Sequence, residues 1–136
     1  MNNEFNRDWV LWELKQCLRA LATPGPIALS TEPDGAVKAD ELALDYDNFV
    51  TAALGNIPQE FTEQQREALS QVNDALAVMS GMVNAHLWTE DAVINHPSWE
   101  KVRILSRNAL EIIGWEGEPL SWQSRKVGWR KTLGNA

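Results

Sequence analysis

Few side chains in this sequence have the chemistry and the spacing that a metal site requires. His86 and Glu90 are four residues apart, which puts two side chains on one helix face, and His96 follows Asp91 closely. Two imidazoles and a carboxylate form a donor set that binds zinc. However, Thr89 is expected to begin a new helix and to break this face. We therefore expect no metal and no other cofactor, and a metal-dependent enzyme is the weakest hypothesis.

Patterns typical of nucleophilic catalysis and phosphate binding are also missing from the sequence. Cys17 is the only cysteine and lies among leucines at helical spacing, which predicts a small buried side chain. There is no Gly-x-Ser-x-Gly motif and no glycine-rich phosphate loop. A run that begins at Asp45 resembles a calcium loop, but Val50 and Asn56 stand where the loop needs Gly and Glu. We therefore expect that the protein is not an enzyme.

An acidic segment from Glu32 to Asp47 is the most distinctive polar feature, with six acidic residues and one lysine. A solvated helix face accounts for many such segments. The alternative is a docking surface for a basic protein, because charge complementarity speeds association and aromatic side chains anchor interfaces. We predict a docking surface with Tyr46 at its rim. The predicted partner-binding residues are Asp34, Asp40, Glu41, Asp45, Tyr46 and Asp47.

The charge distribution indicates which partners this surface suits. The net charge is −7 and the isoelectric point is about 4.8, which argues against nucleic acid because phosphate binding needs clustered Lys and Arg. Residues 1–98 carry five basic and fifteen acidic side chains, whereas residues 99–136 carry seven basic and four acidic ones. We therefore expect a basic protein as the partner and no nucleic acid.

The length and the hydropathy pattern bound the domain organisation. A chain of 136 residues with 44% hydrophobic residues is typical of one globular domain, with a core at about 6–115 and a tail at 116–136. No run of about 18 apolar residues predicts a membrane span. Residues 1–8 are polar and carry two acids, which is unlike a signal peptide, so we expect a cytoplasmic protein without a membrane partner.

Hydrophobic periodicity predicts a mainly α fold with four main helices in a bundle-like core. A Pro-Asp-Gly turn between two short apolar runs allows a short β-hairpin at about 27–39. The pattern fades after Trp115, which predicts an irregular C-terminal tail. The predicted helices are 6–22, 41–54, 62–87, 90–95 and 99–113, and the second half of the third has a weak point at Ser80-Gly81. Their predicted N-terminal caps are, in order, Asn6, Asp40, Thr62, Thr89 and Ser98, and Gly114 is expected to end the last helix.

Four stretches of the sequence carry a family resemblance. They are Asp40-Glu41-Leu42-Ala43-Leu44-Asp45-Tyr46, Met79-Ser80-Gly81, Leu87-Trp88, and Trp99-x-x-Val102-Arg103-x-Leu105 followed by Gly114-Trp115. Over residues 10–120 the chain resembles small acidic helical bacterial proteins of the kind that serve as immunity partners of polymorphic or contact-dependent inhibition toxins. The resemblance implies an immunity-type inhibitor that neutralises a basic toxin, such as a nuclease, by covering it.

A second hypothesis remains open beside the immunity-type inhibitor. The C-terminal tail contains Trp122 and Trp129 among four basic residues, and these tryptophans are hard to explain as core residues. A self-associating structural or regulatory helical protein, with these two tryptophans as its contact, would account for them. The sequence does not predict the oligomeric state.

Overall fold

A computed structural model describes residues 5–32 and 37–115, and these residues form only helices and their connections. The mainly α fold with four main helices is confirmed, since α1, α3, α4 and α6 are much longer than the others. No helix in these two ranges is both long and apolar enough to cross a membrane. The predicted tail at 116–136 lies outside the described residues. The helices are α1 (Arg7–Ala22), α2 (Gly25–Ser30), α3 (Lys38–Asn56), α4 (Glu63–Ala77), α5 (Glu90–Asn95) and α6 (Pro97–Ile113), with 3-10 helices at Pro58–Glu60 and Met82–Trp88.

Local side chains set several helix ends, as predicted. The Asn6 side chain accepts a hydrogen bond at the start of α1, and the Thr89 side chain does the same for α5. Thr62 and Gln65 form the reciprocal capping box of α4, with hydrogen bonds of 2.9 and 3.1 Å. Gly114 ends α6 in the left-handed conformation, with φ of 88°. These helix ends are therefore encoded by residues near them in sequence.

The β-hairpin that the sequence allows at about 27–39 is wrong. Residues 27–30 belong to α2 and residues 38–39 belong to α3, whereas 33–36 lie outside the described residues. Pro26 stands in the first turn of α2, where its fixed φ suits a helix and its missing N–H is not needed. Ala28 and Leu29 are buried, so packing of these side chains favours the helix.

Several helix boundaries also differ from the prediction. Asp40 lies in the first turn of α3 and does not cap it, because α3 begins at Lys38. The cap of α6 is His96, whose Nδ1 accepts a hydrogen bond from the Ser98 amide at 3.1 Å, rather than Ser98 itself. The predicted long helix 62–87 ends at Ala77, and Gly81, at the predicted weak point, has a φ of 100° that is incompatible with a helix.

The core is organised around α1 and α6, which pack against each other. α3 packs on α1, α4 packs on α6, and α3 and α4 touch each other only sparsely. The buried apolar side chains form one continuous cluster, which confirms the bundle-like core. An open surface lies between α3, α4 and the 3-10 helix Met82–Trp88.

Gly25 sets the approach of α2 to α5. A methyl group built on Gly25 would lie 2.5 Å from the Cα atom of Ile94 and 2.9 Å from the carbonyl oxygen of Val93. Both neighbours are backbone atoms, which cannot rotate away as a flexible side chain would. Only glycine therefore permits this close contact between the two short helices.

Candidate functional site

Tyr46 does not lie at the rim of an exposed surface, and this part of the predicted site is wrong. Its side chain is fully buried, and its hydroxyl donates a hydrogen bond to the Leu69 carbonyl at 2.7 Å. Burial raises the pKa of Tyr46 far above its ordinary value, and the buried Cys17 thiol adds to the shift. The predicted burial of Cys17 is confirmed. Tyr46 therefore joins α3 to α4 from within the core.

The four predicted carboxylates of α3 fall into two groups. Since a helix turns by about 100° per residue, Asp40 and Asp47 share one side of α3 whereas Glu41 and Asp45 share another. Asp47 is exposed and the other three are partly exposed. Asp34, the sixth predicted residue, lies outside the described residues. The structure thus brings the predicted acids together on one helix but divides them between two surfaces.

Glu41 and Asp45 form a carboxylate cluster with Glu32, a residue that the sequence analysis did not select. One oxygen of each side chain lies within 4.8 Å of the others, and Glu32 is buried. Carboxylate oxygens are ligands that hard cations such as Ca²⁺ accept. Within residues 5–32 and 37–115 no other set of three His, Cys, Asp or Glu side chains converges in this way.

Asp40 and Asp47 lie on the edge of an open groove between α3, α4 and the 3-10 helix Met82–Trp88. We call it the α3–α4 groove; its volume is about 720 Å³. Most of its lining is apolar. The residues that line it are Asp40, Ala43, Leu44 and Asp47 from α3, Asn73, Leu76 and Ala77 from α4, and Ser80, Gly81, Met82, Ala85 and Trp88 from the segment that follows.

Two tryptophans fix one end of the groove. The Trp88 indole donates a hydrogen bond to the Met79 carbonyl at 2.8 Å, which holds the ring in place. Trp99, on α6, lies edge-on to Trp88 with ring centroids 5.5 Å apart, and its indole donates to the Leu87 carbonyl at 2.7 Å. The last two residues of the 3-10 helix, Leu87 and Trp88, are therefore each held by an indole hydrogen bond.

Exposed apolar side chains continue from the groove to the neighbouring surface. Leu44 is 51% exposed on α3, and Met82 is 95% exposed on the 3-10 helix. Val78 and Val83, which flank the turn at Gly81, are exposed as well. Large apolar side chains clustered at a surface are typical of interaction sites.

The electrostatic environment of the groove is acidic. Between residues 38 and 96 the sequence has ten acidic and two basic side chains, the basic ones being Lys38 and Arg66. The Arg66 guanidinium donates to the carbonyls of Pro58 and Phe61, near the opposite end of α4. Among the residues that the structure describes, no lysine or arginine lines the groove. A positively charged side chain of a partner that enters the groove therefore faces the two carboxylates, and none of the described lining residues carries a positive charge that would repel it.

The histidines of the metal hypothesis do come close to each other. The rings of His86 and His96 lie 5.9 Å apart, edge to face. His96 already uses Nδ1 as the cap of α6. In the part of the chain that the structure describes, Glu90 does not join the two histidines in a three-ligand set. The arrangement supplies at most a pair of imidazole nitrogens.

Sequence reasoning missed the groove residues that follow α3. The helix predicted over 62–87, with a weak point at Ser80-Gly81, ends at Ala77, and the turn and 3-10 helix that follow supply Met82 and Ala85 to the groove. One signal was present: Leu44 is apolar at a position out of phase with the buried Leu42, Tyr46 and Val50 of the same helix. An apolar residue on the polar side of an amphipathic helix indicates a second contact surface.

Comparisons with known proteins give no relative. No protein-family model, curated protein or solved structure matches the chain.

Proposed function

We propose that this chain is a protein-binding protein, and most concretely an immunity-type inhibitor that covers a basic surface of a toxin partner. The observation that carries the proposal is the position of Asp40 and Asp47 at the edge of the α3–α4 groove. An apolar floor provides contact energy, and carboxylates at the edge steer and orient a basic partner. That this protein is not an enzyme and that it is cytoplasmic remain predictions.

The residues that resemble toxin-immunity proteins support this choice of partner. The stretch at 40–46 belongs to α3 and supplies one wall of the groove, while Met79–Gly81 and Leu87–Trp88 lie at either end of the 3-10 segment. Three of the four stretches thus contribute to one surface. An inhibitor that works by occlusion needs such a surface and no chemistry of its own.

The proposal predicts a strong effect of charge reversal at the groove edge. In calorimetric titrations against the product of the neighbouring gene, the double variant Asp40→Lys, Asp47→Lys should bind about tenfold or more weakly at low salt, because like charges then face each other. The difference should shrink as salt is added, since both carboxylates are solvent-accessible and screened.

The matched control carries the same change of charge elsewhere on the molecule. Glu67→Lys together with Glu111→Lys alters two exposed carboxylates that do not line the groove. At each salt concentration this control should lose less affinity than the groove variant, and at physiological salt it should bind within about twofold of the unmodified protein. No binding by the unmodified protein, or equal losses in the two double variants, would contradict the proposal.

Self-association is the second candidate, and the exposed Val78, Met82 and Val83 favour it. Apolar side chains gathered beside a groove also suit a contact between two copies of one chain. The tryptophans that the sequence analysis assigned to this contact, Trp122 and Trp129, lie outside the described residues. Amide resonances of the groove that shift when the protein alone is diluted would indicate self-association, whereas binding of a different protein leaves them independent of dilution.

A further inference from the structure

We infer that the α3–α4 groove receives a single amphipathic helix of the partner, with apolar residues at i, i+3 or i+4 and i+7 and with lysine or arginine beside them. This inference rests on the proposed function, because it specifies the part of a basic partner that the same surface recognises. Groove length, wall side chains and charge each contribute to it.

The α3 wall of the groove is as long as two turns of a helix. It runs from Asp40 to Asp47, whereas the opposite wall runs along α4 from Asn73 to Ala77 and continues with Ser80 beyond the end of that helix. Seven residues of helix rise about 10.5 Å. A partner helix that lies along the groove therefore places two or three side chains of one face between the walls, which is the usual arrangement when a helix binds in a groove.

The side chains of the walls and floor fit a helix rather than a flat surface. Ala43 on α3, Ala77 on α4 and Ala85 beyond the turn are small, so a third helix can approach both walls at the usual 8–10 Å between axes. Leu76 and Trp88 provide an apolar floor. Met82 stands almost fully exposed at one end, and the flexible thioether side chain adapts to different apolar partners.

Charge complementarity identifies the residues that flank the apolar stripe. Asp40 and Asp47 are the only charged side chains among the described residues that line the groove. They stand two helical turns apart on the same side of α3. A helix with lysine or arginine at a spacing of about seven residues can meet both carboxylates while its apolar stripe faces the floor. An acidic helix would be repelled at both points.

The test uses the full chain, isotope-labelled, and three synthetic helical peptides of about 16 residues. The first has leucines at i, i+4 and i+7 with lysines beside them. The second keeps the leucines and replaces the lysines with glutamates, and the third keeps the lysines and replaces the leucines with glutamines. We expect the first to bind with micromolar Kd and to shift the amide resonances of Ala43, Leu44, Ala77 and Ala85. The other two should bind about tenfold or more weakly.

Blocking variants locate the binding site. Ala77→Trp fills the groove from an exposed position of α4 and should abolish the shifts, whereas Gln71→Trp, exposed on the same helix but outside the groove, should leave them unchanged. Met82→Gln changes a side chain that is 95% exposed, so it leaves the core packing intact. It should weaken binding of the first peptide severalfold through the loss of apolar contact.

The outcomes separate the inference from the proposed function. Equal binding of the leucine–lysine and glutamine–lysine peptides, with no effect of Ala77→Trp, overturns the helix inference and leaves an acidic protein-binding surface in place. Equal binding of the lysine and glutamate peptides overturns both. If the groove resonances shift when the protein alone is diluted, a second copy of the chain occupies the groove. If Trp122→Ala and Trp129→Ala shift the groove resonances in the absence of any peptide, the chain's own C-terminal residues occupy the groove. Either of these results also overturns the inference.

Discussion

Replacement of Trp99 by alanine is expected to lower the free energy of unfolding by about 3–5 kcal/mol, a large part of the stability of an ordinary domain. The side chain is only 2% exposed, and its loss leaves a cavity beneath the 3-10 helix Met82–Trp88. It also removes the hydrogen bond to the Leu87 carbonyl and the edge-on contact with Trp88. Urea denaturation followed by circular dichroism measures the loss.

Two further variants provide reference values for this loss of stability. Trp99→Phe keeps most of the apolar area but leaves the Leu87 carbonyl without its indole donor, so its loss should be intermediate. Ile104→Ala truncates an exposed apolar side chain of the same helix and should cost less than about 1 kcal/mol. If Trp99→Ala costs no more than Ile104→Ala, the described anchoring of the 3-10 helix is wrong.

The second large effect is expected in alkaline solution and depends on Tyr46. Burial raises the pKa of its hydroxyl in the folded state, so the folded protein holds this proton more tightly than the unfolded chain does. Stability should therefore fall once the pH passes the ordinary tyrosine pKa of about 10, by up to about 1.4 kcal/mol for each further pH unit. Below that pH this contribution is constant.

Tyr46→Phe isolates this effect from the other groups that titrate at high pH. The variant should lose about 1 kcal/mol at neutral pH, because the hydrogen bond to the Leu69 carbonyl is gone, but it should lose stability less steeply above pH 10. Tyr46 is the only tyrosine, so tyrosinate absorbance reports on this side chain alone. Ionisation of Tyr46 near pH 10 in the folded protein would contradict its burial.

Much of the fold could be predicted because its determinants are local. The Asn6 and Thr89 caps, the Thr62–Gln65 capping box and the left-handed Gly114 each act within about one turn of the chain, so a sequence window contains them. Residues 25–30 were harder to assign, because a short apolar run flanked by prolines suits a strand as well as a helix. The contact between Gly25 and Ile94 joins distant parts of the chain, and no local pattern reveals it.

The candidate site was predicted only in part, for a related reason. The sequence shows that Asp40, Glu41, Asp45 and Asp47 are close together, but their division between two sides of α3 depends on how that helix is rotated against α1. The same rotation buries Tyr46. Its spacing of four residues from Leu42 and from Val50 could have revealed this burial. The α4 wall of the groove comes from distant residues, so only the folded chain displays it.

The most direct test of the central claim, that the α3–α4 groove is the partner-binding surface, is a hydrogen-exchange footprint of the full chain with and without the product of the neighbouring gene. We predict slower amide exchange at residues 40–47 and 73–88 in the complex, with unchanged exchange along α6 from Pro97 to Ile113. Protection confined to α6, with residues 40–47 and 73–88 unaffected, would show that a different face binds the partner.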